Sequence, residues 1–173
     1  VQFTSGNGQP LSGILFHADN IAHNTAVLIC GGTGFLQKYY APLAAWLADK
    51  GYTVLTFDYQ GIGASRHTPL KQCSARLQDW GTDDIPAAVD FLLGYTGLSQ
   101  VVLVGHSAGG QMLGVMHNHA KVAKVVAIAG STGHVANMRP EFARKAKFMF
   151  GMYMPINNAL FGYTKLKRIK WGE

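Results

Sequence analysis

The sequence predicts an α/β fold, a mostly parallel sheet with helices on both faces, and three observations carry the prediction. Short runs of β-branched and aliphatic residues alternate with stretches of helical spacing. The central runs show no polar alternation, as strands buried on both faces require. No repeat, low-complexity segment or Pro/Ser linker interrupts the 173 residues, which are 48% hydrophobic and long enough to bury one core.

The elements follow in order. Residues 2–17, "QFTSGNGQPLSGILFH", read as a hairpin whose Gly6-Asn7-Gly8 supplies the positive-φ turn. "TAVLIC" (25–30) is a buried strand ending in "GGTGF". Helical spacing through Tyr40, Leu43 and Leu47 closes at Gly51. "YTVLTFD" (52–58) is the next buried strand, followed by the loop "YQGIGASRHTP". "DWGTDDIPAAVDFLLGY" opens on capping acids and repeats apolar residues at Ile85, Val89 and Leu92 or Leu93. "QVVLVG" is the third buried strand, a helix is expected from about Ser107 to His119, and "AKVVAIAGS" (123–131) is the fourth strand. Ligands of such sheets bind at the carboxyl ends of the strands.

Charge and composition narrow the classes. The net charge of +6 sits in the tail: residues 1–138 hold seven basic and seven acidic residues, whereas 139–173 hold eight basic residues against Glu141 and Glu173. "RKAK" and "KLKRIK" are short and interleaved with apolar residues, so they read as a solvated helix face and no nucleic-acid partner is expected. No run of eighteen apolar residues predicts a membrane span, and "VQFTSGNGQP" carries no secretory signature. Cys30 and Cys73 are too few for a disulfide framework and lack metal-like spacing, which suits a reducing, cytoplasmic setting without a bound metal. Gly31, Gly32 and Gly34 are not followed by the lysine or glycine pattern of a phosphate-binding loop, so no nucleotide cofactor is expected.

One stretch carries chemistry. In "VVLVGHSAGGQMLGV" (101–115), Gly105, Ser107 and Gly109 form G-x-S-x-G at a strand-to-helix junction, the setting in which that pattern has meaning. A turn so tight leaves no room for Cβ atoms at 105 and 109, and it forces Ser107 into a strained conformation with its hydroxyl exposed. Ala108 N–H then opens the helix, where a partial positive charge can stabilise a developing oxyanion.

Through "GGTGFLQKYYAPLAAWLADKGYTVLTFDYQGIGAS", "DWGTDD" and "GHSAGGQ", nearly the whole chain resembles an α/β-hydrolase, and more narrowly the bacterial predicted serine hydrolases related to esterases, lipases and serine aminopeptidases. The resemblance implies the α/β-hydrolase fold, a Ser107 nucleophile, an acyl-enzyme route for ester hydrolysis without cofactor or metal, and a small-molecule acyl substrate. Thr33-Gly34-Phe35 stands where the family carries His-Gly-x, so Phe35 N–H and Ala108 N–H are the implied oxyanion donors. Thr33 replaces the family's histidine, and "DYQGIGAS" has Gln60 in place of an arginine. Asp58 in that loop precedes the nucleophile, whereas the family's acid follows it, so Asp58 is expected to order the turn through hydrogen bonds to backbone.

The general base is harder to place. His17 and His23 precede the sheet core, His67 lies in a loop, and His106 sits inside the elbow. On the expected helix, His117 and His119 lie roughly 15 Å from Ser107. His134, just past the fourth strand, is the residual candidate. Family order is serine, acid, histidine. After Ser107 the acids are Glu141 and Glu173, and neither is followed by a histidine. Strand count agrees, with six expected here against eight in the family. The chain is therefore expected to be an incomplete hydrolase, its acid and histidine on a missing C-terminal segment, and its "VVAIA" strand an apolar edge open to self-association. The competing reading is an inactive truncated or degenerate member serving as a binding or assembly module. Residues 1–133 form the expected hydrolase core. Residues 134–173 form the expected cap, where Phe142, Ala146, Met149 and Phe150 make an apolar stripe opposite Arg144, Lys145 and Lys147.

Overall fold

In a computed structural model, which describes residues 1–20, 22–132 and 134–164, the chain opens on the expected hairpin. β1 (Gln2–Thr4) pairs antiparallel with β2 (Pro10–Phe16), and Gly8 takes φ +85° in the turn between them. β3 (Ala26–Cys30), β4 (Val54–Asp58), β5 (Val101–His106) and β6 (Val122–Ile128) complete a six-stranded sheet in the order β1-β2-β4-β3-β5-β6. β2 joins β4 antiparallel, and the last four strands run parallel, so their carboxyl ends share one edge.

The centre of the sheet is apolar on both faces because its strands alternate nothing polar. Leu28 of β3 lies in register with Leu55 and Leu103, and all three are fully buried. One face packs on Ile85, Ala88, Val89 and Leu92, while the other packs Val27, Ile29, Val54 and Val104 on Tyr40 and Ala44. Each large aliphatic side chain so covered contributes about 1.5–3 kcal/mol relative to exposure.

Helix α1 (Ala41–Asp49) corrects one expected face. Its buried side is Tyr40, Ala44 and Ala48, with Leu47 packed beside them, and Leu43 is exposed. Small residues let the helix approach the sheet closely, so apolar spacing alone misplaced the seam. The helix ends as expected at Gly51, with φ +90°.

The next helical stretch runs through α2 (Leu77–Asp79), a wide π turn at Trp80–Asp84, and α3 (Ile85–Thr96), which ends at Gly97 in the left-handed conformation. Pro86 explains the wide turn, since a proline inside a helix removes an N–H and crowds the preceding turn. The expected capping acids divide. Asp79 caps, accepting the Arg76 N–H at 2.8 Å, but Asp84 turns inward. Its carboxylate accepts Ser5 Oγ at 2.6 Å, Gln60 N at 2.9 Å and Gln60 Nε2 at 2.9 Å.

That burial has a measurable consequence. Desolvation raises the Asp84 carboxyl from its ordinary 3.8 to about 6, against the lowering effect of its hydrogen bonds. Between those values the folded state holds a proton that the unfolded chain has released. Stability is therefore expected to fall as pH rises from about 4 to about 6 and to level off above, by on the order of 2–3 kcal/mol from this group. Urea midpoints across that range check it, with Asp84→Asn expected to flatten the slope even though its amide NH2 meets a donor and lowers stability throughout.

After β5 the expected helix to His119 is much shorter. α4 (Ala108–Gln111) is one turn, followed by 3₁₀ geometry over Met112–Val115 and extended backbone at Met116. Gly109, Gly110 and Gly114 account for the early end, because each glycine disfavours helix by about 1 kcal/mol relative to alanine. The distance argument that set His117 and His119 aside therefore loses its helix. β6 lies at the sheet edge with Val125, Val126 and Ile128 nearly half exposed.

The chain divides into two units, 1–67 with 74–130, and 68–73 with 131–173. The second holds α5 (Pro140–Phe148), a π turn at Met149–Tyr153 and α6 (Met154–Phe161). Its expected stripe is redrawn: Phe142 and Phe150 are exposed, and Met149 is buried with Ala143 and Ala146 partly covered. Spacing of three residues replaces the mixed four-and-three spacing because the small alanines occupy the covered side. "KLKRIK" and Glu173 lie outside the described residues.

Candidate active site

The site is built where β5 leaves the sheet. Ser107 has φ 49° and ψ −114°, a conformation that L residues rarely adopt. It persists because both sides of the turn are over-determined. Ser107 N–H donates to Ile128 O at 2.9 Å, and its carbonyl accepts Gly110 N at 3.0 Å and Gln111 N at 3.1 Å. A Cβ at Gly105 would run into the backbone of Gly109 and Gly110, and one at Gly109 would land on the Cys30 carbonyl. Glycine is needed at both places for contact between backbones.

Ser107 is half-buried, and its hydroxyl is not used to cap α4. Ala108 is buried in the first turn of that helix, where N–H groups have no intrahelical acceptor.

Facing this turn is the loop Gly31–Phe35, at the carboxyl end of β3. It crosses so close that a Cβ on Gly32 would meet His106 Nδ1 at 2.9 Å and Ser107 Cβ at 3.3 Å. Gly34 takes φ +85°, and Phe35 N–H donates to Gly32 O at 3.1 Å, closing a β-turn with glycine at its third position. The Phe35 N–H is thus engaged within its own loop. Its ring lies edge-on to His106 at 5.0 Å.

Two phenols anchor the loop. Tyr59 Oη donates to Gly31 O at 3.2 Å, and Tyr40 Oη accepts Gly32 N–H at 2.9 Å. Tyr40 Oη also lies 2.8 Å from His106 Nδ1. Neither tyrosine stands out in the sequence: Tyr40 reads as a core position of a helix, and only the crossing of loop and elbow shows what its hydroxyl reaches. Burial pushes the Cys30 thiol far up, so it stays protonated and is no rival nucleophile.

Asp58 orders the neighbouring turn. Its carboxylate accepts Gln37 N at 2.8 Å, Ala64 N at 2.9 Å and Gln37 Nε2 at 3.2 Å, and Ser65 Oγ donates to its carbonyl.

The histidines of this unit face other partners. His23 Nε2 lies 3.0 Å from Lys50 O, His119 Nδ1 lies 3.2 Å from Met116 O, and His17 Nδ1 lies 3.5 Å from Tyr95 Oη. None of the unit's described histidines hydrogen-bonds Ser107 Oγ. His134 is exposed in the second unit, where its N–H donates to Thr132 Oγ1 at 3.4 Å. Among the described residues no cluster of three His, Cys, Asp or Glu could hold a metal, and no helix is long and apolar enough to cross a membrane.

Comparison with known proteins bears on the family and the fold. The chain is 28% identical over 145 residues to the uncharacterized protein YfhR of Salmonella typhimurium, a match spanning 80% of this chain and 43% of the relative. It is 32% identical over 78 residues to esterase FrsA of Escherichia fergusonii, which spans 44% of this chain and 19% of that protein. The chain thus spans less than half the length of these curated relatives. Among solved structures, the esterase Pf2001 of Pyrococcus furiosus superposes with a TM-score of 0.63 at 19% identity, covering 86% of this chain and 62% of that one, which bears on fold alone. A family model described as the alpha/beta hydrolase fold matches residues 25–162, from the start of β3 through the elbow and beyond α6. With that match and a serine at the strand-to-helix turn, the chain belongs to the α/β-hydrolase fold family.

Proposed function

We propose that this chain carries the nucleophile of a serine hydrolase acting on an ester or related small acyl substrate. One observation carries the reading: Ser107 is held at φ 49° between two glycines that admit no side chain, with its hydroxyl uncommitted to the helix. In the acyl step, Ser107 Oγ attacks the carbonyl carbon, its proton passes to a general base, and the carbonyl oxygen becomes an oxyanion. Ala108 N–H is one donor to that oxygen. Phe35 N–H is the second; it donates to Gly32 O at 3.1 Å, an ordinary hydrogen bond, and has to exchange that acceptor for the charged oxygen. Because no described histidine of the strand unit hydrogen-bonds Ser107 Oγ, the base is assigned to a histidine outside that unit, with its acid. Such a segment, C-terminal to these residues, accords with relatives of which the matched region is less than half. Residues 134–173 are assigned as the cap segment, on which Phe142, Phe148 and Phe150 are exposed.

The absence of a base beside Ser107 in its own unit favours a second reading, a scaffold that binds without turnover. A fluorophosphonate probe with peptide mapping separates the two. Modification at Ser107, lost in Ser107→Ala, is the expected result. Modification elsewhere that persists in the variant would sink the nucleophile assignment, and no modification even of a form that includes the assigned histidine favours the scaffold.

A further inference from the structure

We propose that Tyr40 is a positioning residue of the Ser107 site, its hydroxyl clamping the Gly31–Phe35 loop to the elbow by accepting Gly32 N–H and donating to His106 Nδ1. The proposal rests on the reading of Ser107 as nucleophile. Three features of the geometry support it.

The first is that the phenol reaches both partners at once. Gly32 N–H lies 2.9 Å and His106 Nδ1 2.8 Å from Tyr40 Oη, and the tyrosine is buried. Burial, more than any other influence, pushes this phenol above its ordinary pKa, so it keeps a proton at neutral pH. A protonated phenol has one donor and can accept the Gly32 N–H, which leaves its proton for His106. In the proposed clamp His106 Nδ1 is the acceptor, which puts the ring N–H on Nε2.

The second is where the clamp acts. Gly32 closes the turn that carries Phe35 N–H, and His106 precedes Ser107 in the chain. One hydroxyl therefore joins the residue that sets the second oxyanion donor to the residue beside the nucleophile. A buried Gly32 N–H left without an acceptor is unfavourable, and the loop would move to relieve it.

The third is that Gly32 cannot supply the link itself. Gly32 has no side chain and has no room for one against His106 and Ser107, and the Tyr40 ring itself lies 3.0 Å from a Cβ built at Gly31. The family histidine expected at position 33 is absent, since Thr33 stands there. The phenol approaches from α1, across the sheet edge, and supplies the bond that the loop's own residues do not.

Two measurements test the proposal, the first on the 173-residue chain and the second on a form that includes the assigned histidine. In long-range proton–nitrogen NMR spectra of histidine-labelled protein, His106 is expected as the Nε2–H tautomer, with its Nδ1 resonance shifting in Tyr40→Phe. A Nδ1–H tautomer, or a spectrum indifferent to Tyr40→Phe, overturns the clamp. In fluorophosphonate kinetics at a temperature well below the variant's melting midpoint, Tyr40→Phe is expected to lower the maximal rate of Ser107 modification about tenfold or more while leaving probe affinity nearly unchanged. Tyr95→Phe, at a remote exposed tyrosine, is expected to match wild type. A role confined to stability moves the melting midpoint but not the rate of the folded protein. Equal rates in wild type and Tyr40→Phe overturn the positioning role alone. A wild-type protein that includes the assigned histidine and is still unmodified at Ser107 overturns the nucleophile reading and takes this proposal with it.

Discussion

Gly109→Ala is expected to destabilise the chain by about 3 kcal/mol, the upper end of what overpacking costs, and to lower its melting midpoint by roughly 6–12 °C. The added Cβ meets the carbonyl oxygen, carbonyl carbon and Cβ of Cys30. Neither side can retreat. Cys30 ends the central strand of the sheet, in register with Gly105 of β5, and Gly109 is fixed by the turn that carries Ser107. Flexible side chains absorb an overlap by changing rotamer, but here the partners are mainly backbone. Gly114→Ala is the control: a Cβ there meets nothing, and alanine is the better helix former, so the variant is expected to be neutral or up to about 1 kcal/mol more stable. Thermal and urea unfolding followed by circular dichroism read both.

Asp58→Ala is expected to cost about 3–5 kcal/mol. The loss is not that of one interaction but of the acceptor for two backbone N–H groups, those of Gln37 and Ala64, and for the Gln37 side-chain amide. A buried donor left unpaired costs about 1–3 kcal/mol, which exceeds what its hydrogen bond contributed when made. Asp58→Asn keeps one acceptor oxygen but presents an NH2 to a donor, so an intermediate loss is expected. Urea midpoints of the three proteins check the order. An alanine variant as stable as wild type would mean that water enters the turn and takes over the carboxylate's partners.

The order of strands and helices was legible because it depends on local pattern. Leu28, Leu55 and Leu103 stand in runs that no surface strand would carry, and Gly105, Ser107 and Gly109 sit where a strand gives way to a helix. Hydrogen bonds between distant segments were not legible. Tyr40 lies 66 residues from His106 and Ser5 lies 79 from Asp84, and no periodicity connects such pairs. Two misreadings share a cause. The stripes expected on α1 and α5 put Leu43, Phe142 and Phe150 on the covered side, whereas these are exposed and alanines, the expected Ala146 among them, line it and permit close approach. The expected length of α4 failed for the opposite reason: a preference for the helix motif outweighed three glycines that argue against its continuation. What the chain acts on is written in neither pattern nor fold.

The conformation of Ser107 sets the hydroxyl against thermal robustness under selection. A non-glycine residue in such a backbone region carries about 1–3 kcal/mol of strain, which glycine does not. A library of variants ranked by melting temperature alone would therefore enrich glycine at position 107 and discard the one side chain on which the proposed chemistry depends. Breeding a more durable form of this protein calls for holding that position fixed and seeking gains where the backbone is relaxed, as at Gly114.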